Sequence, residues 1–170
     1  MLPNIERLSH SLFAVDVYDP YDDFSQIKEQ IELIDRACFP QTYTKRKDTH
    51  HDWFSNPTNI VVILRTTDNK VIGFSIARQK IEGRDLPADT CNVSLTAILP
   101  DYQKNGLAGL LMTRLKQELR NRGYLYWERN LAVENKWNEA FIDNENDNIV
   151  ILEKPRMTEF GIKQYVKCKL

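Results

Sequence analysis

The chain has 170 residues, of which 42% are hydrophobic and 28% charged, and its formal net charge is -1. That length can close a hydrophobic core without metal or disulfide staples, and a single domain over residues 1–170 is the simplest organisation. A charge so near zero gives no overall electrostatic reason to bind nucleic acid or anionic lipid.

No apolar run approaches the roughly 20 residues that cross a bilayer. The opening "MLPNIERLSH" has neither the basic head nor the apolar stretch of a signal peptide, so a cytoplasmic protein away from membranes is expected. Cys38, Cys91 and Cys168 are scattered, without C-x-x-C spacing, and read as small buried residues. His50 and His51 are adjacent, and neighbours on a helix point about 100° apart, so they do not converge on one ion. No metal is expected.

In chain order, "SLFAVDVYD" (11–19) alternates as a first strand. Asp22 and Asp23 offer an N-cap to "FSQIKEQIELIDRACF", where Phe24, Ile27, Ile31, Ile34 and Phe39 recur at helical intervals until Pro40. A second helix is expected over Lys45 to Phe54. "NIVVILRTT", a turn at Asp68 and Asn69, and "KVIGFSIARQK" form a β-hairpin. After the polar loop "IEGRDLPADT", the run "CNVSLTAIL" alternates Val93, Leu95 and Ala97 with Asn92, Ser94 and Thr96. Beyond Pro100 the period changes. Leu107, Leu110, Leu111, Leu115 and Leu119 make the apolar stripe of a helix packed on a sheet, with Gly123 as its C-cap. "YLYWERNLAV" is a fifth strand and "ENKWNEAFID" a short helix with Trp137, Ala140 and Phe141 on one side; "IVILEK" and "GIKQYVKCKL" are two more strands. The expected fold is α/β (α+β), a single mixed, mostly antiparallel sheet flanked by helices, with a β-α-β crossover from Cys91 to Val133.

The strand-to-helix junction is where chemistry is expected. The first amides of a helix lack internal partners and carry the positive end of its dipole, and Gly106 and Ala108 leave them approachable by a phosphate. Gln103 and Lys104 can add donors at the rim. Neither G-x-x-x-x-G-K-S/T nor G-x-G-x-x-G occurs, which excludes the P-loop and dinucleotide fingerprints. What the junction matches is Gln/Arg-x-x-Gly-x-Gly/Ala, here Gln103, Lys104, Asn105, Gly106, Leu107 and Ala108.

With the preceding hairpin "VIGFSIA" and the pair Ile98 and Pro100, this succession resembles the GNAT superfamily of acyl-CoA-dependent N-acyltransferases, from about Phe24 to Leu170. The resemblance implies acetyl-CoA as donor and an amine of a small molecule or protein as acceptor. It implies pyrophosphate binding by Gln103, Lys104, Asn105, Gly106, Leu107, Ala108 and Gly109. It also implies pantetheine pairing along the strand near Ile98, with Asn135 beside it. Two positions depart from the family pattern. Asn92 stands where many members have a glutamate base, and Ile142 where a tyrosine protonates the leaving thiolate.

Asparagine takes no proton at neutral pH but can hold a water, so Asn92 and Ser94 are candidates for a proton-relaying water chain. Glu128 and Glu134 could receive the amine or act as base, as could Asp85 and Asp89; each is otherwise a solvated side chain. Trp127 and Trp137 are pocket candidates better read as core, and His50 and His51 as residues of an exposed helix. Three rival readings are retained: a catalytically degenerate acyl-CoA-binding or interaction module, a nucleic-acid binder using Lys104, Arg114, Lys116, Arg120 and Arg122, and a Cys91 thiolate enzyme. Monomer and homodimer are both open.

Overall fold

A computed structural model describes residues 10–133 and 137–170. Its strands are β1 (Phe13–Val17), β2 (Ile60–Thr66), β3 (Val71–Arg78), β4 (Thr90–Ile98), β5 (Tyr126–Ala132), β6 (Ile149–Leu152), β7 (Arg156–Thr158) and β8 (Gly161–Lys169). Its helices are α1 (Lys28–Cys38), α2 (Tyr43–Arg46), α3 (His50–Ser55), α4 (Leu107–Asn121) and α5 (Trp137–Glu145). The strands form one sheet in the order β1-β2-β3-β4-β5-β8-β6, with β7 pairing β8 off this path. β1 is antiparallel to β2, and β8 is antiparallel to β5, β6 and β7. β4 and β5 run parallel, as a crossover through α4 requires.

The chain forms two compact units, one comprising residues up to Ile76 with Leu95–Leu115, the other Ala77–Ser94 with Lys116–Leu170. In the first, Phe24, Ile31, Ile34 and Phe54 from the helices bury against Val61, Ile63, Phe74 and Ile76 from β2 and β3. Rings of Phe54 lie 5.3 Å from Tyr18 and 5.8 Å from Phe74, both edge-on, which is the favoured aromatic geometry. In the second unit Trp127 is fully buried and meets Phe141 edge-on at 5.4 Å, so it is core, as its sequence context implied.

Local chemistry decides several boundaries. Asp23 caps the turn Phe24–Gln26 by accepting from Ser25 N, but Ile27 leaves helical geometry and α1 starts only at Lys28. The single helix expected over Lys45 to Phe54 is two helices. Thr49 Oγ1 donates to the Arg46 carbonyl at 2.7 Å, a local bond that competes with helix continuation. Strand β7 was missed in sequence because three residues carry too short a pattern to register. α4 follows its stripe, except that Leu110 is half-buried and Met112 buried instead. Gly123, at φ 85°, ends it, and Tyr124 N–H returns to the Leu119 carbonyl at 3.1 Å. In α5, Phe141 is buried but Ala140 is exposed, with Asn138 buried in its place. The side chain of Trp137 lies outside the description. No helix among the described residues is long and apolar enough to cross a membrane.

Candidate functional site

Strand β4 ends at Ile98, and Pro100–Tyr102 turn the chain toward α4. Lys104 and Gly106 both adopt left-handed φ, 65° and 73°, on either side of Asn105. Asn105 is buried and its amide donates back to the carbonyls of Tyr102 (3.0 Å) and Gln103 (3.1 Å), which locks the curl. Successive amides in such a curl converge on a concave face, the arrangement that binds anions at the head of a helix. Gly106 has no Cβ to fill it. Among the described residues beyond its chain neighbours, the ring of His10 is what lies within 4 Å of where that Cβ would stand, and a Cβ at Gly109 would meet none of them within 4 Å.

The structure reassigns Gln103. Its Nε2 donates to the Ile98 carbonyl at 2.8 Å and its N–H to Pro100, so it ties the loop to the strand end instead of offering a donor at the rim. The same Ile98 carbonyl accepts from Cys38 Sγ at 3.0 Å. Gly109 N–H is likewise engaged by the Gly106 carbonyl. The Lys104 side chain is exposed at the rim of the loop.

The second unit holds a continuous polar row across four strands. Arg78 Nε on β3 donates to Ser94 Oγ on β4 (2.8 Å), and Ser94 Oγ donates to Asn92 Oδ1 (2.9 Å). Asn92 Nδ2 donates to Glu128 Oε1 on β5 (3.1 Å), and the Tyr165 hydroxyl of β8 donates to Glu128 Oε2. Register explains the convergence. Asn92 and Glu128 are paired positions of the parallel ladder, and Tyr165, opposite Asn130, lies diagonal to Glu128 on the same face. Arg84, from the loop before β4, grips the carboxylate at 2.7 and 2.9 Å and lays its guanidinium 5.3 Å from the Tyr165 ring centre. Glu128 is 1% exposed, and a buried carboxylate needs this kind of compensation. Burial, then the adjoining Glu128, pushes the Tyr165 hydroxyl up to about 12, so it stays protonated and donates. Burial also lowers Arg78 from its usual value.

The three catalytic candidates Asn92, Ser94 and Glu128 are thus brought together, while Arg78, Arg84 and Tyr165 were not anticipated. Asp85 is exposed, and Asp89 binds Thr90 Oγ1 and caps β5 with its carbonyl. Glu134 and Asn135 lie outside the described residues. His50 departs from expectation. It is 1% exposed, with Nε2 2.7 Å from Asp35 Oδ2, whereas His51 is exposed. Cys91 is buried and its thiol is pushed by burial up to about 12, unsuited to thiolate catalysis. Lys116 and Arg122 pair with Glu145 and Glu118, which weakens any basic surface there. Among the described residues no group of three or more His, Cys, Asp or Glu side chains is placed to hold a metal ion.

Comparison with known proteins identifies the family. The model of the acetyltransferase (GNAT) family matches residues 28–143, a stretch that contains the whole loop, α4 and β5. The chain belongs to this family. It accordingly carries a GNAT acetyltransferase domain. Its fold is similar to that of PaiA N-acetyltransferase from Thermoplasma acidophilum, solved with coenzyme A, at TM-score 0.66 and 13% identity over 93% of this chain and 99% of that one. An aminoglycoside 6'-acetyltransferase type Ii superposes at TM-score 0.69 with 14% identity, over 92% of this chain and 96% of the other. A ribosomal-protein alanine N-acetyltransferase from Escherichia coli gives TM-score 0.64 and 18% identity over 93% and 92%. No curated protein sequence matches the chain. The GNAT cofactor fits the residues present: a phosphate needs backbone donors, a cation and no obstructing Cβ, and the loop supplies Lys104, Gly106 and the first amides of α4.

Proposed function

We propose that the chain acetylates a primary amine of a small molecule or protein, with residues 1–170 acting as one catalytic domain. The observation that carries this is left-handed, side-chain-free Gly106 opening the first turn of α4. In this reading Lys104, Asn105, Gly106, Leu107 and Ala108 hold the cofactor pyrophosphate. Gln103 and Gly109 shape the loop through the bonds described above. Ile98 closes the strand beside the pantetheine arm, and Asn135 is kept as a neighbour of that arm.

Bound acetyl-CoA supplies a thioester carbonyl as the acyl donor. An amine of ordinary pKa is mostly protonated at neutral pH and must lose a proton before it attacks. Ser94 Oγ accepts from Arg78 and donates to Asn92, which leaves it one lone pair. We assign that lone pair to a water that carries the proton away. Asn92 fixes the Ser94 hydroxyl by accepting from it, and its own amide is fixed by Glu128. Glu128, which accepts three hydrogen bonds from Arg84, Asn92 and Tyr165 and is neutralised by its ion pair with Arg84, holds the Asn92 amide in place instead of taking the proton itself. The same proposal places the enzyme in the cytoplasm, off membranes and nucleic acid, as a monomer or homodimer; the free thiols of Cys38, Cys91 and Cys168 suit a reducing compartment.

The test is calorimetric titration of the protein with acetyl-CoA and with coenzyme A, repeated on Gly106→Glu, with thermal melting to check folding. Micromolar binding that the variant loses supports the reading and justifies an acceptor screen by thiol release. A folded wild-type protein that binds neither compound overturns it, and binding without turnover across an amine panel favours the acyl-CoA-binding module.

A further inference from the structure

We propose a second ligand site in the second unit: a cleft beside the start of β5 that takes a phosphate monoester carrying a flat ring. The cleft measures about 330 Å³, at the small end of ligand pockets, which run from roughly 300 to 1,000 Å³. Three segments of chain form its walls. Arg120 comes from the last turn of α4, Tyr124, Leu125 and Tyr126 from the entry to β5, and Lys169 from the end of β8. Gly123, with its left-handed φ of 85°, lets the chain turn from Arg120 to Tyr124 within this short span. Tyr126 and Lys169 are directly opposed across the β5–β8 ladder, which sets both side chains on one face. The loop from Gln103 to Gly109 does not line this cleft, so the site stands independently of the cofactor reading.

Charge and surface chemistry give the ligand class. The lining holds two basic side chains and no acidic one. Two neighbouring cations are matched, Lys116 by Glu145 and Arg122 by Glu118, whereas among the described residues no hydrogen bond or ion pair engages the Arg120 guanidinium or the Lys169 ammonium. A phosphate monoester carries about -1.5 to -2 charge at pH 7, which balances this pair, and the planar fork of an arginine matches two of its oxygens. The backbone has little to offer here: the Leu125 and Tyr126 amides donate to the Asp89 carbonyl (2.9 and 3.0 Å), and the Leu170 amide donates to the Leu125 carbonyl (2.9 Å). Side chains therefore make the recognition. Tyr124 and Tyr126 are half-buried and Leu125 is 58% exposed, which supplies aromatic and apolar surface for a ring. Burial raises the Tyr124 hydroxyl, so it stays protonated and able to donate. Lys167 holds its ammonium 4.7 Å from the Tyr126 ring centre and adds positive charge beside that wall.

The experiment is NMR titration of isotope-labelled full-length protein with adenosine 5'-monophosphate, phenyl phosphate, inorganic phosphate and adenosine, following backbone amide shifts. At least one of the two esters is expected to shift the amides of Tyr124, Leu125 and Lys169, with inorganic phosphate and adenosine binding about tenfold more weakly or not at all. Arg120→Ala is expected to weaken the ester about tenfold and Lys169→Ala about threefold, with Arg120→Lys in between. Melting temperatures are expected to stay unchanged, because both side chains are exposed. Absence of shifts around the cleft overturns the site, and inorganic phosphate binding as tightly as the esters overturns the ring-bearing ligand. Shifts centred on Gly106 also overturn it, because the ester would then occupy the loop before α4. Unchanged ester binding by a folded Arg120→Ala protein overturns the assignment as well, whatever coenzyme A does at the loop.

Discussion

Two buried carboxylates in this protein have the same kind of partners and different surroundings. Asp35, in the first unit, is fully buried and bound by Arg46 (2.6 and 3.1 Å) and His50 (2.7 Å), which pins α1, α2 and α3 to one another. Glu128, in the second, is bound by Arg84 and Tyr165. The Asp35 cluster joins consecutive helices and is sealed, since the Arg46 side chain is only 16% exposed. The Glu128 cluster continues through Asn92 and Ser94 to Arg78, and its arginine is 39% exposed on a loop. Burial of charge is common to both and therefore does not mark a functional site. What distinguishes the second is a polar path that leads away from the carboxylate.

Substitutions at the two carboxylates break this comparison most directly. Asp35→Asn leaves a buried arginine unpaired and is expected to cost about 3 kcal/mol, a fall of about 10 °C in melting temperature, with no change in coenzyme A affinity by calorimetry. Glu128→Gln is expected to lower kcat/KM about 100-fold, near 2.7 kcal/mol, yet to shift melting less, because Arg84 can turn to solvent. Equal melting losses would erase the distinction drawn here. Asn92→Ala is expected to lower kcat about tenfold with KM for acetyl-CoA unchanged, and full activity would remove Asn92 from the proton path. Tyr165→Phe deletes one of several donors to Glu128 and is expected to cost roughly three- to tenfold in kcat.

Acid sharpens the contrast further. Burial raises the Asp35 carboxyl, but the bonds from His50 and Arg46 outweigh it and hold the group below its ordinary 3.8. A depressed carboxyl contributes stability that is present above the unfolded value and lost as pH falls through the folded one. Denaturant melts from pH 6 to pH 2 are therefore expected to show a loss beginning below about pH 4, and Asp35→Asn to flatten that limb. An unchanged limb in the variant would show that other carboxylates govern acid unfolding.

The curled loop between β4 and α4 was legible because its signals are consecutive: a strand end, a proline, a glycine and a helix stripe within one stretch of chain. Asn92, Ser94 and Glu128 were legible one by one, as polar residues on otherwise apolar strands. Arg84 and Tyr165 were not, since a loop arginine and a strand tyrosine acquire meaning only when pairing register sets them beside Glu128. His50 misled for the same reason. Its neighbours in sequence are polar, and its burial comes from Asp35 on another helix.

Periodicity, caps and glycine placement act through bonds between near neighbours, so the sequence by itself determined most of the strands and helices and the glycine-bearing turn before α4. Register across the sheet and the packing of distant segments act between residues far apart in the chain. Those interactions decided that Gln103 ties down the loop, that Glu128 gathers three hydrogen bonds and an ion pair, and that His10 comes to rest over Gly106. No local pattern encodes them, because each is the sum of contacts that exist only once the chain has closed.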